Sequence, residues 1–344
     1  MRPHLLPLTA AAAVLALLPS AAAAAAGSAG SGSAASGFTI TDPRIKESSG
    51  LAASRIHPGV YWTHNDSDDG PYVYAVDSAT GKTVARITLT GIGTPRDIEG
   101  ISLGPDGRLY VGDIGDNRGG SWNHVWIYRF AEPKTLRDAT LKAEQFTVKY
   151  ADGPRNAEAL MVHPVTGRVY IASKDEKAGG LYEGPEALSA SGTNTFRRIG
   201  DVPWVTDGAF SPDGGRLALR GYLWARTYPW KDGRPAGDGE AVAAPWQGQA
   251  ESVTYTADGT TLMFGAEGAN SRVVAVPVAP AAKPSPSSSG SGPGSGSGSA
   301  APDPSAGAPA APDGGSFTKG ALVLVAALTL TLAAKRLLRR RPKP

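Results

Sequence analysis

Short runs of alternating apolar and polar residues recur along the chain, always as a pair around a turn. DIEGISLGPDGRLYVGD starts at Asp97, NAEALMVHPVTGRVYIAS at Asn156, VTDGAFSPDGGRLALR at Val205 and QAESVTYTADGTTLMFGAEG at Gln249. A fifth copy, ESSGLAASRIHPGVYWTHND from Glu47, fits with a longer turn. Period-2 alternation on both sides of a Pro-Asp-Gly type turn predicts a β-hairpin. Weaker strand patterns follow most copies, such as YVYAVD then KTVARITLT, or HVWIYRF then EQFTVKY. Helix-period segments are lacking.

Ser49, Glu99, Glu158, Asp207 and Glu251 occupy equivalent positions, at successive spacings of 50, 59, 49 and 44 residues. Four short strands at such a period predict an all-β fold, a five-bladed β-propeller. Six blades would require a further unit within 119–150. The last copy runs out of chain soon after VVAVPV, and FTITD at Phe38–Asp42 is a spare strand near the other terminus. The two together predict that the N-terminal strand completes the last blade and closes the ring.

In such a ring the first strand of each hairpin starts, and the second ends, at one mouth of the central axis. That end receives Glu47, Asn65, Asp66, Asp97, Asp113, Asp116, Asn117, Lys174, Asp207, Arg220 and Glu267, the candidate ligand-binding residues. Carboxylates gathered at an axis repel one another, and three remedies exist: raised pKa values, basic partners or a bound cation. Ca²⁺ takes six to eight oxygen ligands and would suit Glu99, Glu158 and Glu251 as candidate metal ligands. NDSDDG at Asn65–Gly70 is not an EF-hand, because Val76 stands where the twelfth-position Glu belongs.

Catalytic signatures are sparse. HExxH, G-x-S-x-G and phosphate-cradling loops are absent, and with no cysteine there is neither a thiolate nucleophile nor a disulfide. His64 is the only histidine placed near the mouth. It and Glu158 are the candidate general bases, while Trp62 and Trp204 are candidates for stacking on a sugar. Paired axial carboxylates keep glycoside hydrolysis open as well.

The chain termini read differently. Residues 1–26 have the basic start, apolar run and small-residue site of a signal peptide, and 27–36 form a flexible lead-in. Residues 280–316 are nearly all Pro, Ser, Gly and Ala, a disordered linker. Residues 317–334 are apolar and precede the basic tail 335–344, which predicts a single-pass membrane anchor with the 37–279 domain outside the cell. Nine of the 34 Lys and Arg lie outside that domain, against two of the 31 acids. The domain thus carries 25 basic and 29 acidic residues, a net −4, and nucleic acid is not an expected partner.

The motifs SSGLAAS, WTHNDS, DIEGI, LYVGDIGDN, NAEAL, SPDG and AEGANS resemble those of exported bacterial propeller proteins. These are similar to the calcium-associated propellers that include phytase-like and gluconolactonase-like proteins. The resemblance covers most of 40–278. It implies an acidic axis with Ca²⁺ at Glu99, Glu158 and Glu251, and no assigned activity. Ser49 stands where a full acidic ring would have a carboxylate, and no dense Lys/Arg cluster for phosphate is present. The expected function is non-catalytic binding of an extracellular ligand or protein at the acidic mouth. The alternative is a cation-dependent hydrolase of phosphoester, lactone or glycoside type.

Overall fold

The computed structural model describes residues 35–278, apart from 67, 68, 176 and 178. The signal peptide, most of the lead-in, the linker, the apolar span and the basic tail lie outside the described residues. Among the described residues no helix is long and apolar enough to cross a membrane.

The fold is all-β and propeller-like. The short strand β1 (Phe38–Thr39) is followed by a first unit, β2 (Ser48–Ala53), β3 (Val60–Asn65), β4 (Tyr72–Asp77) and β5 (Lys82–Thr90), an antiparallel meander. The second unit has β6 (Ile98–Leu103), β7 (Arg108–Asp113) and β8 (Val125–Ala131). Next come β9 (Ala139–Lys142), which leaves to pair in parallel with β5, and β10 (Glu144–Tyr150), which pairs with β8. Residues 119–150 thus add β8 and β10 to the sheet of β7 and lend β9 to the edge of the first unit.

The third unit is β11 (Ala157–Val162), β12 (Val169–Ser173), β13 (Gly180–Glu183) and β14 (Thr193–Asp201), with β14 joined in parallel to β10. The fourth has β15 (Asp207–Phe210), β16 (Arg216–Arg220) and β17 (Ala225–Lys231), to which β18 (Arg234–Pro235) and β19 (Glu240–Val242) add. The fifth is β20 (Ser252–Tyr255), β21 (Thr261–Gly265) and β22 (Arg272–Pro277). Its outer edge pairs with β1, Phe38 opposite Val273. Of the spare N-terminal stretch Phe38–Asp42, the residues Phe38–Thr39 form this strand.

Each hairpin turns on a left-handed glycine: Gly59, Gly107, Gly167, Gly214 and Gly259 have φ between 68° and 79°. A residue with a Cβ is strained there, so glycine sets where each hairpin reverses. An aspartate helps in three of the turns, where Asp106, Asp213 and Asp258 accept backbone N–H bonds from Arg108, Gly215 and Thr260.

The first two strands of each unit are buried on both faces, since each unit packs against the next, whereas outer strands such as β9, β14 and β19 are partly exposed. Alternation decides which neighbour a residue meets. Ala52 of β2 joins Ile98, Ile101, Leu109 and Val111 of the second unit, whereas Leu51 joins Phe38, Met263 and Val273 of the fifth. Burying one large aliphatic or aromatic side chain this way is worth about 1.5–3 kcal/mol. First strands touch in chain order, β2 with β6, β6 with β11, β11 with β15 and β15 with β20, and β20 also touches β2.

A small residue follows each equivalent acidic or serine position: Gly50, Gly100, Ala159, Gly208 and Ser252. A Cβ on Gly100 would stand 2.7 Å from Leu160 N, and one on Gly208 2.7 Å from Met161 Sδ. The small residues let the first strands close up beside one another. β22 runs towards the hairpin-turn side and finishes with Val278 N–H on Thr260 O, and β1 pairs antiparallel with its first residues, Arg272 and Val273.

Candidate functional site

At the end opposite the turns, loops and strand starts are stitched together by buried polar side chains. Several of the expected mouth residues spend themselves on this stitching. Asp113 accepts the N–H groups of Arg96 and Asp97 (3.1 and 2.9 Å) and the Tyr128 hydroxyl at 2.6 Å. Asp116 accepts Trp122 N–H at 2.6 Å and the Ser121 hydroxyl at 3.2 Å, folding the loop after β7 onto itself. Asn65 accepts Lys46 and Glu47 N–H and donates to Arg44 O and Asp69. Glu47 is half-buried, and its carbonyl accepts Asp66 N–H. Glu267 accepts Gln249 Nε2 at 2.7 Å.

Asp207 and Arg220 face each other across β15 and β16 and bind the fourth unit to the fifth. Asp207 accepts Val253 N–H at 2.8 Å, and Arg220 donates to Ser252 O and Gly265 O, both at 2.6 Å, and to Gln247 at 2.7 Å. Burial pulls the Arg220 guanidinium down to about 10, opposed by the nearby Glu251 and Asp207 charges.

Three carboxylates come together with little to neutralise them. Asp66, just past β3, and Asp97 and Glu99, at the start of β6, bring one oxygen each within 4.8 Å of one another. The backbone makes this meeting, because Ile98 N–H donates to Asp66 O across the two units at 2.9 Å. Ser49 donates to Glu99 at 2.9 Å and Asn117 to Asp97 at 3.0 Å. Glycine is required alongside, since a Cβ on Gly115 would lie 2.6 Å from Asp97 Oδ2.

Burial is the main cause of the raised carboxyl pKa values here. Asp66 is pushed up to about 10, with the Asp97 carboxyl next in effect. Burial and then the Asp66 charge hold Glu99 well above its usual range, and Asp97 is raised too. Asp66 Oδ1 is buried without a hydrogen-bond partner. Buried acceptors left unpaired cost about 1–3 kcal/mol each. A hard divalent cation removes that cost and the mutual repulsion together, and the all-oxygen donor set suits Ca²⁺ or Mg²⁺ better than a soft metal. Of the sequence-predicted metal ligands, Glu99 belongs to this trio.

The other two, Glu158 and Glu251, fall among different neighbours. Lys174 Nζ lies 3.0 Å from Glu158 Oε2 and 5.1 Å from the centre of the Tyr222 ring. Glu158 Oε1 and Glu251 Oε2 are buried without partners. Burial, opposed by the Lys174 charge, raises Glu158 to about 8. Tyr222, Asp66 and Asp97 are the residues whose part here the sequence pattern did not disclose. Tyr222 follows β16 outside the repeat, and Asp66 and Asp97 are expected at the mouth but not among the metal ligands.

His64 is fully buried, with Nδ1 3.2 Å from Asn65 O and Nε2 unpartnered. Burial drops its pKa to about 4, so the ring is neutral. Trp62 is sealed in the core, its Nε1 donating to Glu132 at 2.8 Å, and offers no face to a sugar. Trp204 is half-buried and meets Tyr222 edge-on at 5.4 Å.

No family model matches the chain, and no curated protein matches it. Solved structures are similar in course at low identity. A gluconolactonase, XC5397 from Xanthomonas campestris, is 17% identical with a TM-score of 0.44, over 70% of this chain and 79% of that one. The PQQ-bound aldose sugar dehydrogenase of Streptomyces coelicolor is 14% identical with a TM-score of 0.41, over 70% and 98%. Hydrazine synthase of Kuenenia stuttgartiensis is 15% identical with a TM-score of 0.37, over 63% and 61%. These likenesses concern the path of the chain. They carry nothing about activity.

Proposed function

We propose that the chain is a five-bladed propeller, closed by β1, whose acidic end binds a divalent cation between Asp66, Asp97 and Glu99 and through it a ligand or protein partner. The closed ring is supported by the contact between β20 and β2 and by the β1–β22 pairing. The cation is supported above all by the meeting of three carboxylate oxygens within 4.8 Å beside an unpaired buried one. Ca²⁺ is the leading candidate, given oxygen donors only. The role is one of binding and display: an exported domain held to the membrane through a single C-terminal span, meeting its partner outside the cell.

Calorimetric titration of the protein with Ca²⁺, Mg²⁺ and Mn²⁺ tests this. One site per chain is expected, weakened by about a hundredfold or more in Glu99→Gln, as for loss of a charged ligand. Absence of binding by all three ions sinks the proposal.

A cation-dependent hydrolase is favoured by one observation. Glu158 is raised to about 8 with Oε1 unpaired, the state of a carboxyl that exchanges a proton near neutral pH. Turnover of phosphoester, lactone or glycoside substrates that is lost in both Glu99→Gln and Glu158→Gln would establish it in place of the binding role.

A further inference from the structure

The turn-side end of the structure holds a cavity of about 320 Å³, within the size range of small-molecule sites. Its walls come from the far ends of β2, β6, β11, β15 and β20, through Leu51–Ala53, Ile101–Leu103, Val162, Gly208–Phe210 and Thr254–Tyr255. Each of these strands is the edge of its meander and pairs on one side only. Edge strands present backbone N–H and C=O groups with no ladder partner. A few of these groups are already taken, as where Val162 N–H donates to Ser102 and Val253 N–H to Asp207. The rest make the wall a hydrogen-bonding surface.

Aspartates stand in the surrounding turns, Asp106, Asp213 and Asp258, but the lining of the cavity itself differs from that of the acidic mouth. No Asp or Glu lines the cavity, and its one charged residue is Arg55. The Arg55 guanidinium donates to Gly104 O at 3.2 Å and Leu103 O at 3.4 Å. Both contacts are long, and a guanidinium carries five N–H donors in a fork that matches a carboxylate. The adjoining turn residues Ile56 and Val165 are 50% and 67% exposed, an apolar rim beside a polar wall.

We infer that this cavity is a second binding site, for a small organic carboxylate bearing further hydrogen-bonding groups, with its carboxylate on Arg55 and its body against the open strand edges. The inference is independent of the cation at the other end, and the two fail separately.

Ligand-observed NMR on the whole protein tests it, with lactate, 2-hydroxybutyrate, mandelate and N-acetylalanine as probes and the corresponding amides as controls. At least one acid is expected to bind and its amide not to. Arg55→Met should weaken that acid by about tenfold or more, the scale of a charge-assisted pair. Ala257→Trp, at an exposed lining position, should block it. Glu99→Gln should leave it unchanged. Binding of no acid, equal binding of an acid and its amide, or unchanged binding in Arg55→Met overturns the inference. Circular dichroism of each variant separates loss of the site from loss of the fold.

Discussion

At the scale of single residues, the acidic end holds carboxyls of two kinds. Asp113 is fully buried, yet it has three donors around it and holds the entry to β6 in place. Asp113→Ala should destabilise the fold by on the order of 3 kcal/mol, since it strands those donors. Urea unfolding would measure this, and cation binding should persist in the fraction that folds. Asp66, Asp97, Glu99 and Glu158 are the second kind, with raised pKa values and burial as the leading cause.

Without a cation, their sign is clear. The folded state keeps protons that the unfolded state releases above its ordinary carboxyl pKa. Stability is therefore fully present below that ordinary range and is lost as pH rises towards the folded value, about 8 for Glu158. The slope is about 1.4 kcal/mol per pH unit for each retained proton. Melting temperature in a chelator should fall from pH 5 to pH 8, less steeply in Glu158→Gln. A saturating divalent cation should cancel or invert that slope, because it holds the carboxylates ionised. A flat profile in chelator would contradict this account.

At the scale of strands and hairpins, much was legible in the amino-acid pattern. The five turns were marked by Gly59, Gly107, Gly167, Gly214 and Gly259, and the structure gives every one of them positive φ. Alternation located both strands of each hairpin because each face is packed by a different neighbour. What lies between repeats was less readable. β9 and β10 come from one stretch but belong to sheets on either side of it, and neither local propensity nor period says which neighbour a strand will join.

The same limit applied to the candidate cation site. Position in the repeat singled out Glu99, Glu158 and Glu251. The spatial trio draws on Asp66 and Asp97 instead, flanking residues brought in by one backbone hydrogen bond between units. Contacts between units are then worth testing directly. Arg220→Met removes donors from Ser252 O, Gly265 O and Gln247 and leaves Asp207 without its cationic neighbour. A loss of about 3–5 kcal/mol is expected, read by thermal or urea unfolding. A change under 1 kcal/mol would show that these bonds do not hold the two units together.

For the molecule as a whole, the pairing of β1 with β22 ties the two ends of the described chain into one sheet. Phe38 is buried and stacks on Tyr61 of the first unit at 5.3 Å, so this short strand touches both neighbours. Starting the chain at Thr41 would remove it and bare the edge of β22. Loss of the Phe38 burial alone is worth about 2 kcal/mol, or about 4–8 °C for a domain of this size. The exposed edge should also promote self-association, detectable by light scattering. A truncated protein that melts at the original temperature and stays monomeric would count against closure by β1.

Since the Arg55 cavity lies at the hairpin-turn end of the described residues and the carboxylate trio at the end opposite, occupation of one would leave the other accessible. Bulky partners and freely diffusing metabolites would then approach from different sides.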